Sequence, residues 1–339
     1  MPGREAVEAL YYEKEPGGFA RCSLCPHRCR MAPGATGLCH VRRNDAGRIS
    51  LPFYGDASAL SVDPIEKKPL YHFFPGSSVY SIGYVGCNLH CPFCQNFGIS
   101  QSTDAIVEHV TPAGLVAAAI RSGCPSIAHT YSEPVVHAEF VEQSMRAARA
   151  AGLRNVLVTN GYAGADAATA LLSLCDAVNV DIKAWDREFY REELGGDLET
   201  VKEFVRMAYE FGVHVEATTL VIPGKNDEPD QVEGIADFLA TLSPDIPLHL
   251  SAYRPMYRYS VPATPSATVH RLAEVAKRRL RYVYAGNVLG ERSITACRAC
   301  GAVLVSRRGY SVDASGLDDS ACASCGVDSP IKNRRKESY

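Results

Sequence analysis

Residues 79–96 read VYSIGYVGCNLHCPFCQN, and this stretch decides the fold. Its first part, Val79–Val85, is a short β-rich run, and Gly86 breaks it. Cys87, Cys91 and Cys94 follow at C-x3-C-x2-C spacing. Three thiolates so close in sequence can wrap three corners of a cubane iron–sulfur cluster, and soft sulfur suits iron. The fourth iron is then left without a protein ligand and open to an external chelate, as open catalytic metal sites are. The competing reading is a zinc site completed by His90. That histidine immediately precedes Cys91, and adjacent residues have difficulty reaching one ion.

Outward from this segment, β-rich runs alternate with amphipathic helical ones. Further strands are expected at Ser126–Thr130, Asn155–Thr159, Ala177–Ile182, His214–Val221, Pro247–Ala252 and Arg281–Ala285. Thr111-Pro112 marks a helix start, and Val136–Ala151 reads as a helix closed by Gly152. Such alternation implies a parallel sheet with crossover helices. The number of units predicts an α/β partial (β/α)6 TIM-like barrel over residues 76–290, with its chemistry on the loops after the strands. Those loops are polar or glycine-bearing, at Gly86–Asn88, Thr130–Pro134, Thr159–Gly161, Asp181–Lys183 and Pro223–Asp227. One ring of loops at one mouth uses them all.

The chain has 339 residues, 46% apolar and 22% charged, with a net charge of −3. This is an ordinary globular balance, and it argues against broad nucleic-acid binding, which needs a basic surface. Lys332, Arg334, Arg335 and Lys336 read as a solvated tail. The first residues carry acidic groups and no apolar core, unlike a signal peptide, and no apolar run approaches the ~20 residues of a membrane span. A cytoplasmic protein is expected. In a reducing compartment thirteen cysteines point to metal rather than disulfides. Besides the triplet they form two sets, flanking the barrel in residues 1–75 and 291–339. Cys124 and Cys175 stand alone and read as core residues.

Cys297, Cys300, Cys322 and Cys325 have the spacing of a zinc ribbon, with Val303–Val305 and Tyr310–Val312 as a hairpin turning at Arg307–Gly309. Structural zinc is the first reading, with an auxiliary iron–sulfur cluster or rubredoxin-like iron as alternatives. Cys22, Cys25, Cys29 and Cys39 also hold four thiols, with His27 and His40 as further donors. Zinc and an auxiliary cluster are equally open there, since either supplies folding energy to a segment with little apolar content.

The triplet, with Phe93 before its last Cys, resembles the defining motif of the radical S-adenosylmethionine (SAM) superfamily. That resemblance implies a 4Fe–4S cluster whose open iron chelates SAM. Reductive cleavage then yields a 5′-deoxyadenosyl radical that abstracts hydrogen from a protein or small-molecule substrate. It also implies an electron donor such as flavodoxin or ferredoxin. Thr130–Pro134 looks like the superfamily's Gly-Gly-Glu-Pro motif, with Tyr131-Ser132 replacing the glycines, which assigns Glu133 to the methionine amino group. Asp181-Ile182-Lys183 resembles the Asp-Leu-Lys of glycyl-radical activating enzymes, with Lys183 for the SAM carboxylate and Asp181 to hold it. Asn160 would face the ribose, and Ile222–Asp227 would shape a loop.

More narrowly, the N-terminal Cys set, Thr-Tyr-Ser-Glu-Pro, Pro247–His249 and Tyr284–Asn287 look like the AmmeMemoRadiSam-system enzymes. These are similar to pyruvate formate-lyase activating enzymes, and the resemblance implies AMMECR1-like and Memo-like partner proteins. Candidate substrate-side residues are His249, Tyr253, Arg254 and Asn287. One alternative function is a glycyl-radical activase. A second, from another class, is a zinc-ribbon nucleic-acid- or protein-binding module that uses Arg298, Arg307 and Arg308.

Overall fold

The computed structural model describes residues 7–333. Arg334, Arg335 and Lys336 of the basic run lie outside the described residues. One eight-stranded sheet forms the core. β1 (Ala59–Pro64) lies at one edge, antiparallel to β2 (Ser78–Gly83). β3 (Ser126–Thr130), β4 (Arg154–Thr159), β5 (Ala177–Asp181), β6 (His214–Val221), β7 (Leu248–Ala252) and β8 (Val283–Gly286) follow in chain order, all parallel. Among the described residues β1 and β8 do not pair, so the barrel is open on that side.

Helices close the outer face between these strands. They are α1 (Pro112–Arg121), α2 (Ala138–Ala150), α3 (Ala165–Leu172), α4 (Leu198–Glu210), α5 (Pro229–Leu242) and α6 (Ser266–Ala276). With both faces covered, the strands need no polar side; all of β3 is buried. The Thr111 hydroxyl accepts the Gly114 N–H at 3.0 Å, capping α1 as expected. Gly152 closes α2 at φ +78°, its N–H on the Arg149 carbonyl at 3.0 Å. This helix starts at Ala138 rather than Val136, because Pro134–His137 form a 3-10 turn.

Two differences at the sheet's start bear on the site. β2 ends at Gly83, two residues before Val85. The chain leaves the ladder where Gly86, at φ +79°, donates its N–H to Ile99 instead. β1 falls within the segment expected to be separate, so the sheet reaches back to Ala59. Its short, mixed sequence ALSVDP and terminal proline hide the strand, and an edge position tolerates the proline. Before β1, residues 7–51 hold two small three-stranded sheets.

The strands start at a lower end that is plugged by the chain itself. Glu216, in β6, is fully buried and accepts the Tyr71 and His72 N–H groups at 3.0 and 2.7 Å. It also bonds His214 at 3.0 Å and His249 at 2.6 Å. Burial would raise this carboxyl, but the two histidines and their bonds hold it well below the usual range. β9 (Arg292–Ala296), β10 (Val303–Arg308) and β11 (Ser311–Asp313) pack over the same end. There the Tyr284 hydroxyl bonds His72 and Thr295, both at 2.7 Å.

Arg307 therefore differs from its expected place in a hairpin turn. It lies in β10, 2% exposed, over the Tyr71 ring at 4.4 Å and 3.6 Å from Glu66. Arg298 pairs with Asp245 at 3.2 Å. Arg307 is therefore not available to read nucleic acid. No helix among the described residues is long and apolar enough to cross a membrane.

Candidate active site

The parallel strands end together at the upper mouth, with Gly83 beside Thr130, Asp181 beside Thr218 and Val221 beside Ala252. The triplet loop leaves this rim directly after β2. The Cys87 sulfur accepts the Leu89 N–H at 3.4 Å, and Cys94 contacts the Ser100 hydroxyl at 3.1 Å. His90 turns away to Gln101, with Nδ1 3.1 Å from Oε1. Phe93 is buried between the rings of Phe189 and Tyr259.

Burial pushes the Cys87 thiol well above its ordinary value, and Cys91 up to about 11. Thiolates persist in such a place only with a cation against them, so the donor set fits iron. Among the described residues no three Cys, His or acidic donors of this loop converge within 4.8 Å, whereas the C-terminal set does. The loop therefore does not gather its donors as the C-terminal set does.

Two arrangements face this loop. In the first, Glu133 is 1% exposed, with Oε1 accepting from Val135 N at 3.0 Å and the Thr159 hydroxyl at 2.7 Å, and Oε2 from Asn160 N at 2.8 Å. Burial raises its carboxyl to about 7, although these N–H groups oppose the rise. Asn160 Nδ2 then reaches Asn88 Oδ1 at 3.0 Å and the Cys87 sulfur at 3.6 Å. Glu133 thus anchors the backbone that aims Asn160 at the cluster loop.

In the second, Lys183 Nζ pairs with Asp181 at 2.5 Å. Burial would lower its ammonium, but the Asp181 and Cys91 charges beside it raise it. Lys183 is held by its backbone. Its N–H meets the Tyr190 hydroxyl at 2.9 Å, and its carbonyl accepts from Asn226 Nδ2 at 2.7 Å. Asn226 also bonds Ile222 N and Leu220 O, shaping its loop as expected.

Tyr131 occupies a position where glycine would be at ease, at φ +72°. Its ring lies over Gly83, where a Cβ would come within 2.8 Å of it, and over the Lys68 ammonium at 4.3 Å. Its hydroxyl donates to Asp63. The side chain is thus tied to β1 and β2, which offsets the backbone strain.

On the expected substrate side, Tyr253, Arg254 and Asn287 line one open cleft of about 420 Å³ at the ends of β7 and β8. His249 does not join them. It sits low in the barrel on Glu216, because strand alternation turns it inward near the start of β7.

The terminal cysteine sets lie at opposite ends. Cys297, Cys300, Cys322 and Cys325 converge with all sulfurs within 4.8 Å, next to the lower end. Cys22, Cys25, Cys29 and Cys39 line one cavity at the upper end, against Asn88. His27 is not turned to those thiols; its Nε2 meets the Asn88 carbonyl at 2.7 Å. Cys124 and Cys175 are buried. Sequence reasoning missed Asn88 and Tyr190. Asn88 stood inside the quoted motif, whereas nothing local distinguishes Tyr190.

A model of the Radical SAM superfamily matches residues 81–239. An uncharacterized protein, MJ0808 of Methanocaldococcus jannaschii, is 39% identical over 94% of this chain and 97% of its own. The pyruvate formate-lyase 1-activating enzyme of Escherichia coli (strain K12) is 27% identical over 46% of this chain and 65% of its own. The crystal structure of Streptococcus suis SuiB bound to S-adenosylmethionine shares the fold, with TM-score 0.50 and 15% identity over 63% of this chain and 50% of that one. An enzyme class rather than a binding module is thereby shown, and the chain belongs to the radical SAM superfamily.

Proposed function

We propose that this enzyme cleaves SAM at Cys87, Cys91 and Cys94 and acts on a protein or small-molecule substrate near the β7–β8 cleft. The observation that supports it is the meeting of the triplet with Asn160 and Lys183 at one mouth. When bound and reduced, a 4Fe–4S cluster supplies the single electron that splits the sulfonium and releases a 5′-deoxyadenosyl radical for hydrogen abstraction. Lys183 offers its ammonium to the SAM carboxylate while Asp181 and Asn226 hold it in place. Glu133 and Asn160 stand on the other side of the loop, for the amino group and ribose. The Phe93 stack shields the cluster loop from water.

The motifs resembling those of AmmeMemoRadiSam enzymes support AMMECR1-like and Memo-like partners, radical SAM chemistry calls for a flavodoxin- or ferredoxin-class donor, and thirteen cysteines suit a reducing, cytoplasmic setting. For the C-terminal set, sulfur pairs 3.7 Å apart fit one zinc, since a tetrahedron with Zn–S of ~2.3 Å has edges of about 3.8 Å. Anaerobically reconstituted protein with dithionite should convert SAM to 5′-deoxyadenosine. Cys91→Ala should abolish that product and leave the zinc content unchanged. Product formation by Cys91→Ala at the wild-type rate would overturn the proposal.

A further inference from the structure

The N-terminal thiols present a different geometry from the C-terminal ones. Cys22, Cys25, Cys29 and Cys39 line a single cavity, and three of the four residues are buried. Yet among the described residues no three donors of this set, His27 and His40 included, lie within 4.8 Å of one another. One zinc would draw all four to tetrahedral edges of about 3.8 Å. The C-terminal set, in the same structure, meets that standard. The N-terminal set shares with the Cys87 loop the lack of any such trio among the described residues.

A second observation comes from Arg42. It is 1% exposed and forms part of the cavity wall, with its terminal nitrogens on Glu139 at 2.7 and 2.9 Å. Its remaining N–H, at Nε, is buried without any acceptor. Such a buried group is costly unless something absent from the chain accepts from it. Thiolate or sulfide sulfur at the cavity is the acceptor at hand.

We infer that Cys22, Cys25, Cys29 and Cys39 hold a second iron–sulfur cluster, of the 4Fe–4S class, docked on the loop of the first. Asn88 joins the two sites. Its side chain lines the N-terminal cavity and bonds Asn160, which touches the Cys87 sulfur. Gly86 lets the segment approach this closely, because any Cβ there would collide with the Cys39 carbonyl. The position suits a one-electron waypoint. An electron from a reduced donor of the flavodoxin or ferredoxin class lowers the second cluster by one charge unit, then passes to the Cys87 loop. No bond forms or breaks, and the donor is oxidised by one electron.

This role rests on the proposed SAM chemistry; the metal assignment does not. The chain is purified and reconstituted anaerobically, and iron, sulfide and zinc are measured per chain. The wild type should hold about eight irons, two cubanes' worth. The combined Cys87→Ala, Cys91→Ala, Cys94→Ala variant should keep about four, with a reduced-cluster EPR signal that SAM does not alter. Zinc in place of that iron would overturn the inference, even if Cys22→Ala with Cys25→Ala fails to fold. If SAM also leaves the wild-type EPR unchanged while the triple variant keeps its iron, the SAM reading fails and the second cluster stands. For the relay, Cys22→Ala with Cys25→Ala should slow EPR-detected reduction of the first cluster by flavodoxin at least tenfold. An unchanged rate would overturn the relay.

Discussion

At the scale of single residues, the site is built from groups that hold other groups. Lys183 is fixed by Asp181, Tyr190 and Asn226, so its charge is delivered to one place. Lys183→Met keeps the chain length and removes the charge. Its 5′-deoxyadenosine rate at low SAM should fall at least about tenfold, the loss of one charge-assisted contact, with iron content unchanged. A rate within twofold of wild type would remove Lys183 from SAM binding. Tyr131 gives a separate test. Tyr131→Gly and Tyr131→Ala both lose the ring, the Asp63 bond and the Lys68 contact, but only glycine accepts φ +72° without strain. The glycine variant should be the more stable by roughly 1 kcal/mol in urea denaturation. Equal midpoints would show that the backbone there is not strained.

At the scale of elements, the strand ends decide what meets what. Gly86 is the hinge between β2 and the cluster loop, with a Cβ's space taken by Cys39 and by Val41 at 2.7 Å. Gly86→Ala should undock the N-terminal segment, costing at least about 2 kcal/mol and opening residues 20–45 to limited proteolysis. Proteolysis at the wild-type rate would mean that the segment docks elsewhere. Much of this level was legible in the sequence. Each of the seven parallel strands was placed to within two residues of its bounds, because buried parallel strands read as apolar runs closed by polar loops. Cys87, Glu133, Asn160 and Lys183 could be placed at one mouth because each loop follows its strand. What escaped was non-local. β1 is short, ends in proline and borrows its partner from β2, His249 is claimed by Glu216 from a neighbouring strand, and Arg307 is buried by Tyr71, distant in the chain. No window of sequence contains those pairs.

At the scale of the molecule, buried histidines set the response to pH. Burial lowers His72 and His129 to about 3 and His137 to about 4, below the ordinary 6.5. The unfolded chain therefore takes up these protons first, and their contribution, complete above pH 6.5, is lost as pH falls toward those values. Glu133 acts in reverse. Raised to about 7, it favours the folded state as pH drops toward 4.5. Three groups outweigh one, so stability should fall by roughly 2 kcal/mol per pH unit near pH 5.5. Urea midpoints measured anaerobically from pH 7.5 to 5.5 test this, and a rising midpoint on acidification would contradict it.

The lower plug has a consequence in time. Phe73 pairs with Lys332, whose N–H in turn bonds the His72 carbonyl at 2.7 Å. During synthesis the strands emerge from the ribosome in order and can pair as they come, but Tyr71 and His72 must wait for β6 and then for residue 332. The nascent barrel thus has its mouth formed while its floor is still open, with the apolar ends of the strands exposed until the last stretch arrives. That interval is when a chaperone, or a wrong partner, has its access.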